Sequence, residues 1–177
     1  YWAWHEYGMR VGFWRLHQAL TARGLGVTLA INGVVCDTYP RVAEAGLKAG
    51  WEFMGHGWVQ GPMHKVDNQA EAIELAMAKI ASFTGARPRG WESPGLTETE
   101  TTLDLLSAAG VEYVADWVLD DQPTWLQARP NPVLSIPYSV ELNDIPVHAL
   151  AMHTSGELLS RGEAQLDRLW EEGAEQP

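Results

Sequence analysis

Apolar and polar positions along the chain follow a helix–strand rhythm. Met9, Phe13, Leu16 and Leu20 stand at i, i+4, i+7 and i+11, the spacing of one helical face, and Gly24 and Gly26 predict its end. Residues 27–31 (Val-Thr-Leu-Ala-Ile) read as a short buried strand. A second helix is predicted near Thr38, with Pro40 in its first turn and Val42, Ala45 and Ala49 inward. A strand over 51–54 follows, then a helix from about Asp67 that turns Ala70, Ile73, Met77 and Ile80 inward and closes at Thr84-Gly85. Residues 89–91 form a third strand signature. Thr97-Glu98-Thr99-Glu100 has capping-box spacing ahead of Leu103 and Leu106, which predicts a fourth helix from 97. Strands are expected at 111–115, 133–135 and 138–141, and a last helix at 157–170, weakened by Gly162.

Helix starts near 7, 38, 67 and 97 are separated by roughly 30 residues, the length of a strand–helix crossover unit. Such alternation implies an α/β fold with a mostly parallel sheet, and both an open doubly wound sheet and a closed or partial barrel fit it. A complete eight-unit barrel needs about 250 residues. The 177 residues are therefore expected to form a single incomplete domain, 1–177, of five or six units. The first readable element is a helix, so a preceding strand is expected to be missing. Neither the opening Tyr1-Trp2-Ala3-Trp4-His5 nor the closing Glu175-Gln176-Pro177 reads as a natural terminus, and the chain is read as a fragment of a longer domain.

Composition narrows the function classes. Apolar residues make up 46% and charged residues 20%, which excludes a disordered chain. Twelve Lys+Arg against 23 Asp+Glu leave a charge of −11, so nucleic acid and anionic membranes are not expected as partners. No apolar stretch approaches the ~18 residues of a membrane span. The one cysteine, Cys36, cannot form an intrachain disulfide and reads as a small filler; a cytoplasmic location is the matching expectation. Nine Trp exceed what a core of this size needs.

In either architecture chemistry gathers at the carboxyl ends of the strands. The residues that follow the expected strands are Asn32, His56, Glu92 and Asp116, with Trp58, Trp91, Trp117 and Trp125 beside them. Each has a plainer reading. Asn32 before Gly33 suits a turn, Asp116 a cap, Asp120-Asp121 a solvated loop, and tryptophans are more often core than ligand platforms. His56 lies between Gly55 and Gly57, where backbone freedom surrounds an imidazole. No phosphate-binding glycine motif occurs, and Ser93 lacks the G-x-S-x-G elbow of an α/β-hydrolase. His64, His148 and His153 receive no role.

An ordered set of segments carries a resemblance: Glu6-Tyr7-Gly8-Met9-Arg10-Val11-Gly12, Gly46 to Gly57, Pro88-Arg89-Gly90-Trp91-Glu92-Ser93-Pro94, and Tyr113-Val114-Ala115-Asp116-Trp117 with Asp120-Asp121-Gln122-Pro123. Together they resemble the polysaccharide deacetylase (NodB-homology) family, in its allantoinase-like and peptidoglycan-deacetylase-like branch. The resemblance implies a partial or distorted (β/α) barrel of the glycoside hydrolase/deacetylase type, lacking its first and last strands. It also implies hydrolysis of a non-peptide C–N amide bond, in an N-acetylated amino sugar or a small cyclic amide such as allantoin. On this reading His56, Glu92, Asp116 and Asp121 are catalytic, and Trp58, Trp91, Trp117 and Asn32 bind a carbohydrate or small-molecule substrate. His56 matches the first histidine of the family's H-x-x-x-H metal motif, but Gln60 stands at the second and Glu92 replaces the Arg of its R-x-P motif. Zinc is therefore an expectation that rests on His56 alone, and no cofactor is certain. Two other readings stay open: a non-catalytic carbohydrate-binding domain, and a glycoside hydrolase with two carboxylates such as Glu92 and Asp121. Whether the chain forms a homo-oligomer is also open.

Overall fold

The structure, a computed structural model, describes residues 2–175; Tyr1, Gln176 and Pro177 lie outside the described residues. They form two compact units, one reaching to Trp117 and including Gln122–Ile136, the other made of Val118–Asp121 and the chain from Pro137 onward.

The first unit begins with a helical stretch, α1 (Trp2–Tyr7) and α2 (Phe13–Thr21), joined through one π-helical segment at Gly8–Gly12. Strand β1 (Thr28–Ile31) leads to α3 (Val35–Thr38) and α4 (Pro40–Lys48), and β2 (Glu52–Gly55) leads to α5 (Gln69–Thr84). Then come β3 (Gly90–Trp91), α6 (Thr102–Ala108), β4 (Tyr113–Val114), β5 (Thr124–Leu126) and β6 (Val133–Ser135). The sheet order is β1-β2-β3-β4-β6-β5. All neighbours are parallel except β5 and β6. Each helical crossover therefore moves the chain one place in the same direction. A doubly wound sheet would reverse direction at a switch point, so the observed order is that of a barrel wall.

The helical stripes explain the packing. On α5, Ile73, Ala76, Met77 and Ile80 are all inaccessible. Met77 and Ile73 join Trp91, Leu106, Val114 and Val133 in one cluster, and Ile80 joins Ile31, Val35, Ala43 and Phe53 in another. One helix thus spans both halves of the core. Its ends follow local rules: Asn68 accepts from the Glu71 N–H at the start, and Gly85 closes it in the left-handed conformation.

Several boundaries differ from the sequence pattern. Helix α6 starts at Thr102 rather than 97, because the Thr97 hydroxyl donates to the Pro94 carbonyl and accepts from the Met63 N–H, which holds 97–101 as a loop. On α4 the buried residues are Val42, Ala43 and Gly46, not Ala45 and Ala49. Leu16 is 64% exposed, while Phe13 and His17 pack edge-on or tilted against Trp51. Strand β5, an antiparallel edge, has no counterpart in the pattern.

The second unit contains two short helical turns, Val140–Leu142 and Ile145–Leu150, and α7 (Ser155–Glu172). Residues 138–141, expected as a strand, instead run into the first of these turns. Gln165 on α7 donates to the Ser139 hydroxyl at 2.8 Å. No described helix is long and apolar enough to cross a membrane.

Gly55 on β2 has no room for a side chain. A Cβ there would lie 2.6 Å from the Trp91 ring and 2.9 Å from the Met77 sulfur. We expect Gly55→Ala to destabilise the first unit by about 1–3 kcal/mol through overpacking. Chemical denaturation with a tryptophan fluorescence readout checks this; an unchanged midpoint would contradict the packing described.

Candidate active site

The carboxyl ends of β1 to β4 bring Asn32, His56, Glu92 and Asp116 to one rim of the sheet. Hydrogen bonds tie these ends together. The Asn32 side-chain amide donates to the His56 carbonyl. The His56 N–H donates to the Ile31 carbonyl at 3.2 Å, and the Glu92 N–H donates to the Gly55 carbonyl at 2.9 Å. His56 Nδ1 lies 2.8 Å from the Glu92 carbonyl oxygen. A carbonyl can only accept, so Nδ1 carries a proton and Nε2 is left as the second ring nitrogen. Gly57, at φ +71°, turns the chain immediately after His56, and a Cβ there would lie 3.0 Å from Pro94 of the next strand-end loop.

Burial sets the protonation states. Desolvation lowers the His56 pKa, against the Glu92 carbonyl and the Gln60 side chain, which favour the charged ring. The imidazole is therefore neutral near pH 7 with Nε2 as an acceptor. Desolvation also raises the Glu92 carboxyl.

Asp116 is 3% exposed, and both of its oxygens are engaged by Ser93. The Ser93 N–H donates to Oδ1 and the Ser93 hydroxyl donates to Oδ2 at 2.8 Å. Trp91 Nε1 in turn donates to the Ser93 hydroxyl oxygen at 3.1 Å. Burial first, then the charges of Glu98 and Glu92, push Asp116 up to about 7 against the two Ser93 bonds. Asp116 thereby clasps the turn that carries Glu92.

The aromatic residues divide. Trp58 is half-buried; its ring lies over Gly33 and borders a cavity of about 180 Å³ with Gly57, Pro62 and Met63. Trp117 is half-buried against the core, and its carbonyl accepts from the Ser135 hydroxyl. Trp125 on β5 is 63% exposed. Trp91, expected as a substrate platform, is corrected: its side chain is fully buried in the core, where the vacant Cβ position of Gly55 admits it. Asp121 belongs to the second unit. There Asp120 raises its carboxyl, and both line a cavity of about 430 Å³ with Tyr138, Glu141 and Gln165.

Two residues beside Asp116, Ser93 and Glu98, were not among the expected site residues. Ser93 is recognised only through its contacts with Asp116 and Trp91. Glu98 is hidden by its own spacing, which mimics a capping box.

A metal ion fits this set of side chains poorly. Among the described residues no three His, Cys, Asp or Glu side chains are grouped to hold one. Gln60 offers a neutral amide where a second imidazole would serve zinc, and Ser93 already occupies both oxygens of Asp116.

Parallel strands β1 to β4 wound in one direction, with polar side chains at their carboxyl rim, define a barrel-type α/β scaffold. A family model for polysaccharide deacetylases matches residues 5–114, and the chain belongs to that family. A crystal structure of Puue allantoinase superposes with a TM-score of 0.88 at 28% identity, covering 97% of this chain and 58% of that one. A probable polysaccharide deacetylase from Pseudomonas aeruginosa PAO1 gives 0.81 at 28% identity, covering 96% and 58%. A Schizosaccharomyces pombe protein provisionally assigned as a polysaccharide deacetylase is 26% identical, over 96% of this chain and 59% of its own length. The chain thus spans less than two thirds of these relatives, and the barrel-type α/β class expected from the resemblance is the observed one.

Asp116 yields a prediction with a definite sign. Its carboxyl is raised on folding from an ordinary 3.8 to about 7, so the folded chain binds more protons than the unfolded chain across that interval. Its contribution is fully present below pH 4 and is lost as pH rises toward 7, by up to about 1.4 kcal/mol per pH unit. Asp116→Asn is expected to gain stability relative to the parent between pH 4.5 and 7.5. Thermal melts at the two pH values measure this; parallel behaviour of the two proteins would contradict it.

Proposed function

We propose that the protein hydrolyses a non-peptide C–N amide bond, in an N-acetylated amino sugar or a small cyclic amide. The observation that supports this best is the hydrogen-bonded rim that joins His56, Glu92 and Asp116 on the scaffold of a deacetylase family. The names of the relatives, polysaccharide deacetylases and an allantoinase, agree with this substrate class.

Amide hydrolysis requires a base for water and an acid for the leaving nitrogen. His56 is the base: with Nδ1 fixed on the Glu92 carbonyl, the neutral ring keeps Nε2 unprotonated to accept a proton from a water that displaces the Gln60 side chain. Glu92 is the acid, because desolvation favours its protonated form and the clasp of Ser93 on Asp116 holds its backbone. Asp116 is a positioning residue. Trp58 and Trp117 are the aromatic residues suited to border a sugar or a flat ring.

Replacement of the second motif histidine by Gln60 favours one other reading, a carbohydrate-binding domain without turnover. Assay of the protein on N-acetylglucosamine oligomers and on allantoin separates the two. Under the hydrolase reading His56→Ala lowers kcat/KM by about 10²–10⁴-fold. Unchanged turnover in that variant would overturn it, and calorimetric binding without turnover in the parent would favour the binding domain.

A further inference from the structure

Charge is unevenly placed along this chain. In a protein of charge −11, residues 7–36 carry Arg10, Arg15 and Arg23 and no Asp or Glu. That stretch includes α2, which buries none of its residues and lies against α4. His17 joins the two helices, its Nε2 donating to the Ala45 carbonyl at 3.2 Å. Between them runs a groove made of two cavities, about 320 and 440 Å³, and Trp14 and Arg41 line both.

Elsewhere cations are commonly neutralised, as Lys79 is by Asp37 and Arg87 by Glu74. Arg10, at one end of the groove, lies 3.9 Å from Glu6. Arg41 and Lys48 are exposed, and neither pairs with a carboxylate among the described residues. The Arg41 guanidinium instead stands 5.7 Å from the centre of the Trp14 ring. On α4 these two cations share a face, two helical turns or ~10 Å apart, with Glu44 between them. Opposite them α2 presents Trp14, His17 and Thr21. The Thr21 hydroxyl donates to the His17 carbonyl at 2.6 Å, which leaves its oxygen as an acceptor.

This pattern selects a ligand. One that reaches both cations is extended, which a lone phosphate or acetate is not. Where it passes Glu44 it must be neutral and able to donate, because a negative charge there would be repelled. Nucleic acid, with a phosphate at every nucleotide, fails that condition. The indole of Trp14 gives an apolar wall suited to the face of a sugar ring.

We propose that the groove between α2 and α4 binds an oligosaccharide that carries carboxylates at intervals. Arg41 and Lys48 each hold a carboxylate, Glu44 and Thr21 accept from hydroxyls, and Trp14 borders a ring. None of these residues belongs to the rim, and the proposal does not rest on the amide-hydrolase reading.

Calorimetric titration tests this with a hyaluronan hexasaccharide, in which N-acetylglucosamine alternates with glucuronate, beside a neutral N-acetylglucosamine hexamer. Hyaluronan is expected to bind at low salt and to lose affinity as salt is added. Arg41→Gln and Lys48→Gln, both at exposed positions, should each weaken hyaluronan binding about tenfold and leave the neutral hexamer within about twofold. Arg15→Gln, a cation outside the groove, should change hyaluronan binding by less than about twofold. Absence of hyaluronan binding at low salt, an equal loss in all three variants, or tighter binding of an oligothymidylate strand overturns the proposal. Amide turnover is read separately. A protein that turns over no amide yet binds hyaluronan through Arg41 and Lys48 keeps the groove and loses the hydrolase reading. An active hydrolase that binds no hyaluronan does the reverse.

Discussion

The indole of Trp91 occupies the space that any side chain at position 55 would need, and much of the first unit is arranged around that exchange. A glycine on β2 lets a large ring on β3 sink into the sheet against Met77 of α5. The ring is then anchored by its own nitrogen to Ser93, and Ser93 gives both its donors to Asp116 at the end of β4. Core packing and the geometry of the rim are therefore parts of one chain of contacts. A disturbance at Gly55 reaches the site through the indole.

The electrostatics of that rim depend on exclusion of water more than on partners of opposite sign. His56, Glu92 and Asp116 are each displaced from their ordinary titration, and desolvation is the first cause in all three. Solvent leaves the imidazole neutral and the carboxyls inclined to hold protons. Asp116 is pushed up to about 7 in this way. The family's metal motif is altered in the same place, since Gln60 stands where a ligand would be and lends its amide to the His56 ring instead.

The overall charge of −11 has two components in this light. Many carboxylates are exposed and paired, as in Arg87 with Glu74 and Arg89 with Glu112 on the outer surface. These exposed pairs add little stability. A few are withdrawn from water at the strand ends, where desolvation raises Glu92 and Asp116. Composition counts both kinds alike.

The helices and most parallel strands were legible because their apolar spacing and end signals are local, as with Asn68 and Gly85 around α5. Reading off the residue after each strand also named Asn32, His56, Glu92 and Asp116, since a parallel sheet has only one rim where loops converge. Other features have no local signal. Thr97-Glu98-Thr99-Glu100 has the spacing of a cap, yet bonds from Thr97 to Pro94 and Met63 keep it a loop and leave Glu98 at the rim. Residues 138–141 alternate like a strand but run into the turn at Val140–Leu142. By itself the sequence determined the elements and the polar residues that end them, because periodicity and turn chemistry act over a few neighbours. Tertiary structure alone decided that Trp91 is core rather than platform, that β1 to β4 follow one another in one direction, and that Ser93 belongs with Asp116. Each of those depends on which side chains of distant segments compete for the same volume and the same donors.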